Sequence, residues 1–239
     1  GHRLWLAGGA ARDLLLGLPA HEVNDLDLAG TAPTGRFCDL AQQSLRAMGM
    51  TEHYVRVIPG SLVISIVTPP TTNRGRAPQQ LIEYRGLNQS GFRFPAVGSQ
   101  LAEDARNRDF TFNTILYDVL DHQVIDTSGS GLGDLCGVKR RFVPMSIAKS
   151  SPEIANTLIR AAKFALRWSE ESELDLSPLH DWLSTVPTDF ADSFHDCEWT
   201  CFAEFYRTEV QAPTEAQSEF VAALPSPGNT FLARLIGAV

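Results

Sequence analysis

The sequence predicts an α/β fold over residues 1–145, followed by a helical region over residues 146–239. Three observations support this division. Short β-type runs alternate with helical segments in the first part. Helical periodicity in the second part is interrupted by proline-containing breaks at Ser177-Pro178, Pro187, Pro213 and residues 225–228. The 239 residues are 44% hydrophobic, so the chain can bury a substantial core in one or two domains.

The elements of the first part follow from their hydrophobic patterns. The predicted strands are residues 4–7, 25–29, 54–58, 62–67, 81–84 and 123–126. The predicted helices are residues 10–16, 36–48 and 110–117. Residues 68–80, TPPTTNRGRAPQQ, are rich in proline and threonine, and we expect them to form a loop between two strands of a hairpin.

The clearest helix of the second part is predicted over residues 152–168. Its apolar side chains recur at intervals of three and four residues, which places them on one face of a helix. They are Ile154, Leu158, Ala161, Ala162 and Ala165. We therefore expect this helix to pack against neighbouring elements.

Composition excludes several classes of protein. The chain has no long apolar run and no signal-peptide pattern, which predicts neither a membrane span nor secretion and favours a cytoplasmic setting. Its four cysteines are scattered, which is typical of reduced thiols rather than disulfides. Cys197 and Cys201 lie near His195, but their spacing is weak evidence for a metal site.

The net charge of −8 disfavours binding of nucleic acid over the whole surface. Any contact with RNA must therefore be local. The positions where positive charge could gather are residues 73–76, Arg93, Arg106, Arg108 and residues 139–141. A solvated surface is the ordinary alternative for such groups.

The stretch GGAARD follows the first predicted strand and opens a helix. Gly8 and Gly9 let the backbone approach a ligand, and the free N–H groups of a first helical turn favour phosphate oxygens. Arg12 could place its guanidinium on the same phosphates, while Asp13 could brace a neighbouring loop. The structural alternative is a tight turn with a surface ion pair.

The stretch NDLDLA places two carboxylates one residue apart in a strand. Alternate side chains of a strand share a face, so Asp25 and Asp27 are expected to point the same way. Two adjacent carboxylates repel one another unless a cation lies between them, and Mg²⁺ prefers such hard oxygen ligands together with substrate phosphates. The alternative is a solvated strand end.

The stretch RDFTFN combines a cation, an anion, a hydroxyl and an amide at the start of an apolar segment. Arg108 could reach phosphate, while Asp109 and Asn113 could position loops or a sugar. Helix capping by Asp109 is the local alternative.

Together these stretches resemble the head domain of class II tRNA nucleotidyltransferases (CCA-adding enzymes) and bacterial poly(A) polymerases, in the nucleotidyltransferase β superfamily. The resemblance rests on LAGGAARDLLLG, DLDLAGTAP, EDARNRDFTFNTILYD and VIDTSGSGLGDLCGVKRRFV, in the family's order over roughly residues 4–145. It implies a nucleotidyltransferase head domain with a mixed β-sheet at residues 1–145 and a shortened helical neck-like domain at residues 146–239.

The resemblance also implies a Mg²⁺-dependent, two-metal transfer of a nucleoside monophosphate from an NTP, ATP and/or CTP, to the 3′ hydroxyl of an RNA such as a tRNA. The two metals would be held by Asp25 and Asp27, which are the catalytic carboxylates. The nucleotide would be bound by Gly8, Gly9, Arg12, Arg108, Asp109 and Asn113.

Two departures from the family pattern concern the active site. The family's double arginine before DFT is Asn107-Arg108 here, and Arg106 is the nearest other cation. The family also has an acidic residue on the strand of the EYRG segment. Glu83 is the nearest carboxylate, but an alignment on the arginine of that segment places Gln80 at this position, so a surface or paired role is the expectation for Glu83.

A third departure lies in the neck. The family reads the incoming base with an aspartate and an arginine in a helix. In SPEIANTLIRAAKFALRW the end of that signature, RAAKF, is retained, and on this register Ile154 and Thr157 occupy the base-reading positions. Neither can present a charged bidentate pattern, so we expect altered nucleotide selection.

Two classes of function remain open from the sequence. The first is an active nucleotidyltransferase acting on an RNA 3′ end, or on a different acceptor. The second is a catalytically retired nucleotide-binding or regulatory protein. This class is favoured by Ile154 and Thr157 at the base-reading positions and by the acidic surface. The retained carboxylates disfavour complete retirement, because an unoccupied aspartate pair costs stability through repulsion.

Overall fold

The computed structural model describes residues 1–23, 26–58, 63–68, 79–87, 100–145 and 149–237. The chain forms two compact units. The first comprises Gly1–Arg108 and Phe112–Leu132, and the second comprises Asp109–Thr111 and Gly133–Val239. The RDFTFN motif is thus divided between them. Asp25, Arg93, residues 73–76 and most of the predicted loop at residues 68–80 lie outside the described residues.

The first unit is built on a mixed sheet of seven strands in the order β3-β4-β5-β2-β1-β6-β7. The pairing of β2 with β5 is parallel, and the other described pairings are antiparallel. This confirms the predicted mixed sheet. The strands are β1 Leu4–Ala7, β2 Leu26–Gly30, β3 Tyr54–Ile58, β4 Val63–Val67, β5 Gln80–Gly86, β6 Ile115–Asp118 and β7 Gln123–Asp126.

Helices follow the strands in both units, and a short second sheet lies in the second unit. The helices are α1 Gly8–Leu15, α2 Thr34–Ala47, α3 Leu101–Arg106, α4 Gly131–Cys136, α5 Ser151–Trp168, α6 Ser177–Leu183, α7 Asp196–Glu209, α8 Thr214–Ala223 and α9 Gly228–Gly237. Two 3₁₀ turns span Ala20–Glu22 and Thr111–Asn113. The strands β8 Lys139–Arg141 and β9 Glu173–Asp175 pair in parallel, so the second unit is not purely helical.

The predicted helix over residues 110–117 is wrong. A 3₁₀ turn at Thr111–Asn113 is followed by strand β6, Ile115–Asp118, which pairs with both β1 and β7. A short apolar run suits a buried strand as well as a buried helix, and periodicity alone cannot separate the two. Pairing on both edges satisfies the backbone of this run and therefore decides for the strand.

Both faces of the sheet are covered by apolar side chains. Trp5 packs with Ala29 and Leu116 on one face, while Leu6 packs with Ala10 of α1 on the other. The alternation of neighbouring residues between two faces is the period of a β-strand. Strand β2, which carries Asp27, lies inside this sheet and pairs with β1 on one edge and with β5 on the other.

The core of the second unit is aromatic. Phe164 and Trp168 of α5 stack with ring centroids 5.1 Å apart, and Phe142 packs edge-on against Trp168 at 5.9 Å. Helix α5 begins with a capping box in which the Glu153 carboxylate accepts a hydrogen bond from the Ser150 N–H at 2.8 Å. The observed helix agrees with the predicted one to within a residue at its start.

Two buried tyrosines give a testable contrast in alkaline stability. Burial raises the pKa of Tyr84 to about 12, and burial also raises the pKa of Tyr206 to about 12. A phenol with a folded pKa above its unfolded value contributes stability below the unfolded pKa of 10.0, and this is lost as pH rises toward 12. We therefore expect the free energy of unfolding to fall over that window.

The two hydroxyls differ in their partners. Tyr84 donates to the Ala32 carbonyl at 2.5 Å, whereas within the described ranges the Tyr206 hydroxyl has no hydrogen-bond partner. Tyr84→Phe should cost about 1 kcal/mol near neutral pH, and Tyr206→Phe should be neutral or stabilising. Urea unfolding at neutral pH and above the unfolded pKa measures both effects. A larger loss for Tyr206→Phe than for Tyr84→Phe would contradict this account.

Candidate functional site

The turn between β1 and α1 brings the backbone against a carboxylate of β2. Gly8 has φ of 62°, and a Cβ placed on it would lie 2.3 Å from Oδ2 of Asp27. The N–H of Gly9 points at the same oxygen at 3.4 Å. Glycine is required at position 8 both by this conformation and by the close approach. The GG pair thus places the start of a helix beside Asp27.

A second carboxylate lies next to Asp27 in the sheet. Strands β2 and β5 are parallel, and Asp27 is in register with Glu83. Neighbouring in-register residues point to the same face, so the two carboxylates are adjacent. Asp25, the other predicted metal ligand, lies outside the described residues.

Gln80 and Glu83 lie on the same strand, β5, and are hydrogen-bonded to each other. Gln80 donates from Nε2 to Oε2 of Glu83 at 2.9 Å, and Ser65 donates to Oε1 of Gln80 at 2.9 Å. A register shift between Ile66 and Val67 marks an irregularity in the β4–β5 ladder at this point. Gln80 therefore orients Glu83, the residue in register with Asp27 on the neighbouring strand.

Arg12 is buried beneath the turn. Its side chain donates from Nη1 to Oδ1 of Asn113, and its Nε lies 3.8 Å from Oδ1 of Asp13. Two predicted nucleotide-binding residues, far apart in sequence, are thus in direct contact. The contact links α1 to the 3₁₀ turn that follows the RDF segment.

Arg108 lies on a buried carboxylate of α3. Its Nη2 and Nε are 2.8 and 3.0 Å from Oδ2 of Asp104. Arg85 of β5 approaches the other oxygen of Asp104 at 3.5 Å. Sequence reasoning missed Arg85, although its position two residues after Glu83 predicts the same face of the strand. Arg106, the nearest other cation to this motif in the sequence, is exposed.

The surroundings of Arg85 disfavour its positive charge and lower its pKa. Burial is the largest cause that lowers its pKa, and the charge of Arg108 lowers it further. The carboxylates of Asp104, Glu83 and Asp27 act in the opposite direction. Arginine nonetheless stays protonated near neutral pH.

Asp109 belongs to the second unit, where it is an ion-pair partner. Its Oδ2 pairs with Nε of Arg160 in α5, and its Oδ1 accepts a hydrogen bond from the Phe110 N–H at 2.9 Å. Lys149 is close enough for its charge to interact with Asp109, although burial lowers the pKa of Lys149. The structure therefore gives Asp109 a role in organising its own unit.

The two neck positions are buried. Ile154 is 5% exposed and Thr157 is 1% exposed, and the Thr157 hydroxyl donates to the Glu153 carbonyl at 2.8 Å. A hydroxyl bound to its own helix and an apolar side chain offer nothing to the edge of a base. The prediction that these residues lack a bidentate pattern is consistent with this burial.

Oxygen donors at the turn suit a hard cation. Asp27 and Glu83 are in register on neighbouring strands, and the lack of a side chain at Gly8 is what allows the helix start to approach Asp27. Over the described ranges no group of three or more histidine, cysteine or acidic side chains could hold a metal ion. Cys197 and Cys201 are exposed free thiols.

No helix in the described parts of the chain is long and apolar enough to cross a bilayer.

Comparison with known proteins agrees with these features. Residues 4–141 match the family described as the poly A polymerase head domain. Poly(A) polymerase I of Escherichia coli is 30% identical over 190 residues, which cover 78% of this chain and 40% of the relative. The multifunctional CCA protein of an Azoarcus species is 30% identical over 171 residues, covering 71% of this chain and 36% of the relative.

Solved structures show the same fold. The Bacillus stearothermophilus CCA-adding enzyme in complex with CTP has a TM-score of 0.63 at 20% identity and covers 95% of this chain and 50% of that one. The chain thus spans half or less of the length of these proteins. Nucleotidyltransferases of this kind generally use a divalent metal. Because the match to the head domain covers more than half of this chain, the chain belongs to the poly(A) polymerase head-domain family of nucleotidyltransferases.

Proposed function

We propose that this protein is a Mg²⁺-dependent nucleotidyltransferase that transfers a nucleoside monophosphate from ATP and/or CTP to the 3′ hydroxyl of an RNA such as a tRNA. The observation that carries the proposal is the contact of the Gly8-Gly9 turn with Asp27, beside Glu83. This arrangement joins a phosphate-type helix start to oxygen donors for a cation. We assign the head domain to residues 1–145 and a shortened neck-like domain to residues 146–239.

Local contacts support the proposed nucleotide-binding residues. The start of α1, at Gly8 and Gly9, suits the oxygens of a triphosphate, and its Gly9 N–H also points at Asp27. Arg12 and Asn113 brace one another, and Arg108 adds a further cation. We also propose Asp109, which pairs with Arg160, as a nucleotide-binding residue on the family resemblance alone. Family resemblance supports these assignments.

We propose Asp25 and Asp27 as the metal ligands, with Glu83 as an additional candidate. Bound Mg²⁺ would acidify the attacking hydroxyl and neutralise charge on the triphosphate. In the reaction, the 3′ oxygen forms a bond to the α-phosphorus, and the bond to the β-phosphate oxygen breaks. Pyrophosphate leaves and the hydroxyl proton passes to water. Arg12 and Arg108 stabilise the charge that develops on the leaving group.

The test is incorporation of each labelled NTP, with Mg²⁺, into tRNA with and without its 3′ end. Incorporation that disappears in an Asp27→Ala variant establishes the transferase. NTP binding by calorimetry without incorporation into RNA contradicts it. That result favours the second candidate function, which is a nucleotide-binding protein or a transferase with a non-RNA acceptor. The burial of Ile154 and Thr157 and the net charge of −8 also favour this second candidate.

Nucleotide selection is expected to be weak in the same assay. Ile154 and Thr157 cannot read a base edge, so the rates with ATP and CTP should exceed those with GTP and UTP by no more than about tenfold. A site built to hydrogen-bond a base discriminates by several orders of magnitude more. A rate for one NTP that exceeds the others by roughly ten-thousandfold would show that other residues read the base.

A further inference from the structure

Two arginines of the first unit share one buried carboxylate. Asp104 is 2% exposed, and its Oδ2 accepts hydrogen bonds from Arg108 while its Oδ1 lies 3.5 Å from Nη2 of Arg85. Both guanidinium groups thus approach one carboxylate, and the charges of Glu83 and Asp27 also act on Arg85.

Arg85 is incompletely satisfied in the described part of the chain. Its Nη2 is buried and no described group accepts a hydrogen bond from it, since 3.5 Å to Asp104 is an ion-pair contact only. The side chain as a whole remains 36% exposed. A buried donor of a charged group without an acceptor is costly, so a ligand that supplies acceptor oxygens would be stabilised here.

Arg85 lies beside the candidate metal ligands. It follows Glu83 by two residues on β5, so both side chains are on the face of the sheet that carries Asp27. The charges of Glu83 and Asp27 act on Arg85, which places the three groups within electrostatic range. An anion bound by Arg85 would therefore lie next to Asp27.

The residue before Arg108 in the sequence is not a cation. Asn107 precedes Arg108, where the resembling family has a second arginine, and Arg106 is exposed. Arg85 reaches the same carboxylate as Arg108 from a different strand.

We propose that Arg85 binds the triphosphate of the incoming NTP together with Arg108, and so supplies the cation that Asn107 does not. This inference rests on the proposed function, because it assumes that the site accepts a nucleotide. Guanidinium binds phosphate oxygens in a bidentate manner, which lysine cannot reproduce.

The test is calorimetric binding of inorganic tripolyphosphate to the full chain and to Arg85→Gln, Arg85→Lys and Arg106→Gln. Loss of a charge-assisted hydrogen bond should weaken binding at least about tenfold in Arg85→Gln. Arg85→Lys should fall between that variant and the wild type, because it keeps the charge without the fork. Arg106→Gln removes an exposed charge nearby and should bind within about twofold of the wild type.

Several outcomes overturn the inference. Equal weakening in Arg106→Gln and Arg85→Gln would show only a general charge effect. Unchanged tripolyphosphate binding with weakened binding of a short RNA would assign Arg85 to the RNA backbone instead. Circular dichroism and thermal unfolding check the fold, and if Arg85→Gln does not fold, unchanged binding by Arg85→Lys overturns the inference.

Failure of the two proposals can be told apart. A wild type that binds neither tripolyphosphate nor NTP overturns the proposed function and the inference with it. A wild type that binds both, with Arg85→Gln equal to it, overturns the inference alone.

Discussion

Asp27→Ala is expected to reduce nucleotide transfer by roughly a thousandfold or more, while leaving the fold intact. Stabilisation of transition-state charge by a bound cation amounts to several kcal/mol, and each 1.4 kcal/mol is about tenfold in rate. Asp27 has the central position for this effect, between the Gly8-Gly9 turn and Glu83. Measurement of transfer at saturating NTP and Mg²⁺ gives the size of the loss.

A direct readout of cation binding accompanies this measurement. Mg²⁺ should raise the thermal unfolding temperature of the wild type, because a ligand of the folded state stabilises it. The rise should be absent in Asp27→Ala, whose stability without Mg²⁺ should be unchanged or higher, since one of two adjacent carboxylates is removed. Asp39→Ala, at an exposed carboxylate of α2, is the matched control. Residual transfer close to wild type in Asp27→Ala would refute its assignment.

Gly8→Ala is expected to lower both stability and transfer. A non-glycine residue at φ of 62° is strained, and its Cβ would lie 2.3 Å from Oδ2 of Asp27. We expect a loss of about 2 kcal/mol in the free energy of unfolding. Displacement of Asp27 should also reduce transfer by roughly a hundredfold, because misplacement of a reacting group by about 1 Å has that effect.

Two alanine variants serve as controls for Gly8→Ala. A Cβ at Gly9 meets only Nη2 of Arg12 at 3.7 Å, so Gly9→Ala should keep its stability within about 0.5 kcal/mol. A Cβ at Gly35 on α2 meets nothing within 4 Å, so Gly35→Ala should retain transfer. Equal stability of Gly8→Ala and Gly9→Ala in urea unfolding would show that the close approach to Asp27 is not rigid.

Much of the fold was predictable because its signals are local. The Leu4–Ala7 strand, the glycine pair and the Leu26–Gly30 strand are indicated by alternation of apolar residues and by glycine within a few positions. The helix Ser151–Trp168 is indicated by its spacing and its proline near the start. Misassignment occurred at Ile115–Asp118, because a short apolar run does not reveal whether it will pair with strands distant in sequence.

The sequence by itself determined which chemical groups the candidate site contains, through motifs in which glycine, aspartate and arginine lie close together along the chain. The tertiary structure alone decided which of them meet. It placed Glu83 in register with Asp27, joined Arg12 to Asn113, and set Arg85 against Asp104. The physical reason is that register and packing depend on hydrogen bonds between strands and on burial across many intervening residues, which no short pattern encodes.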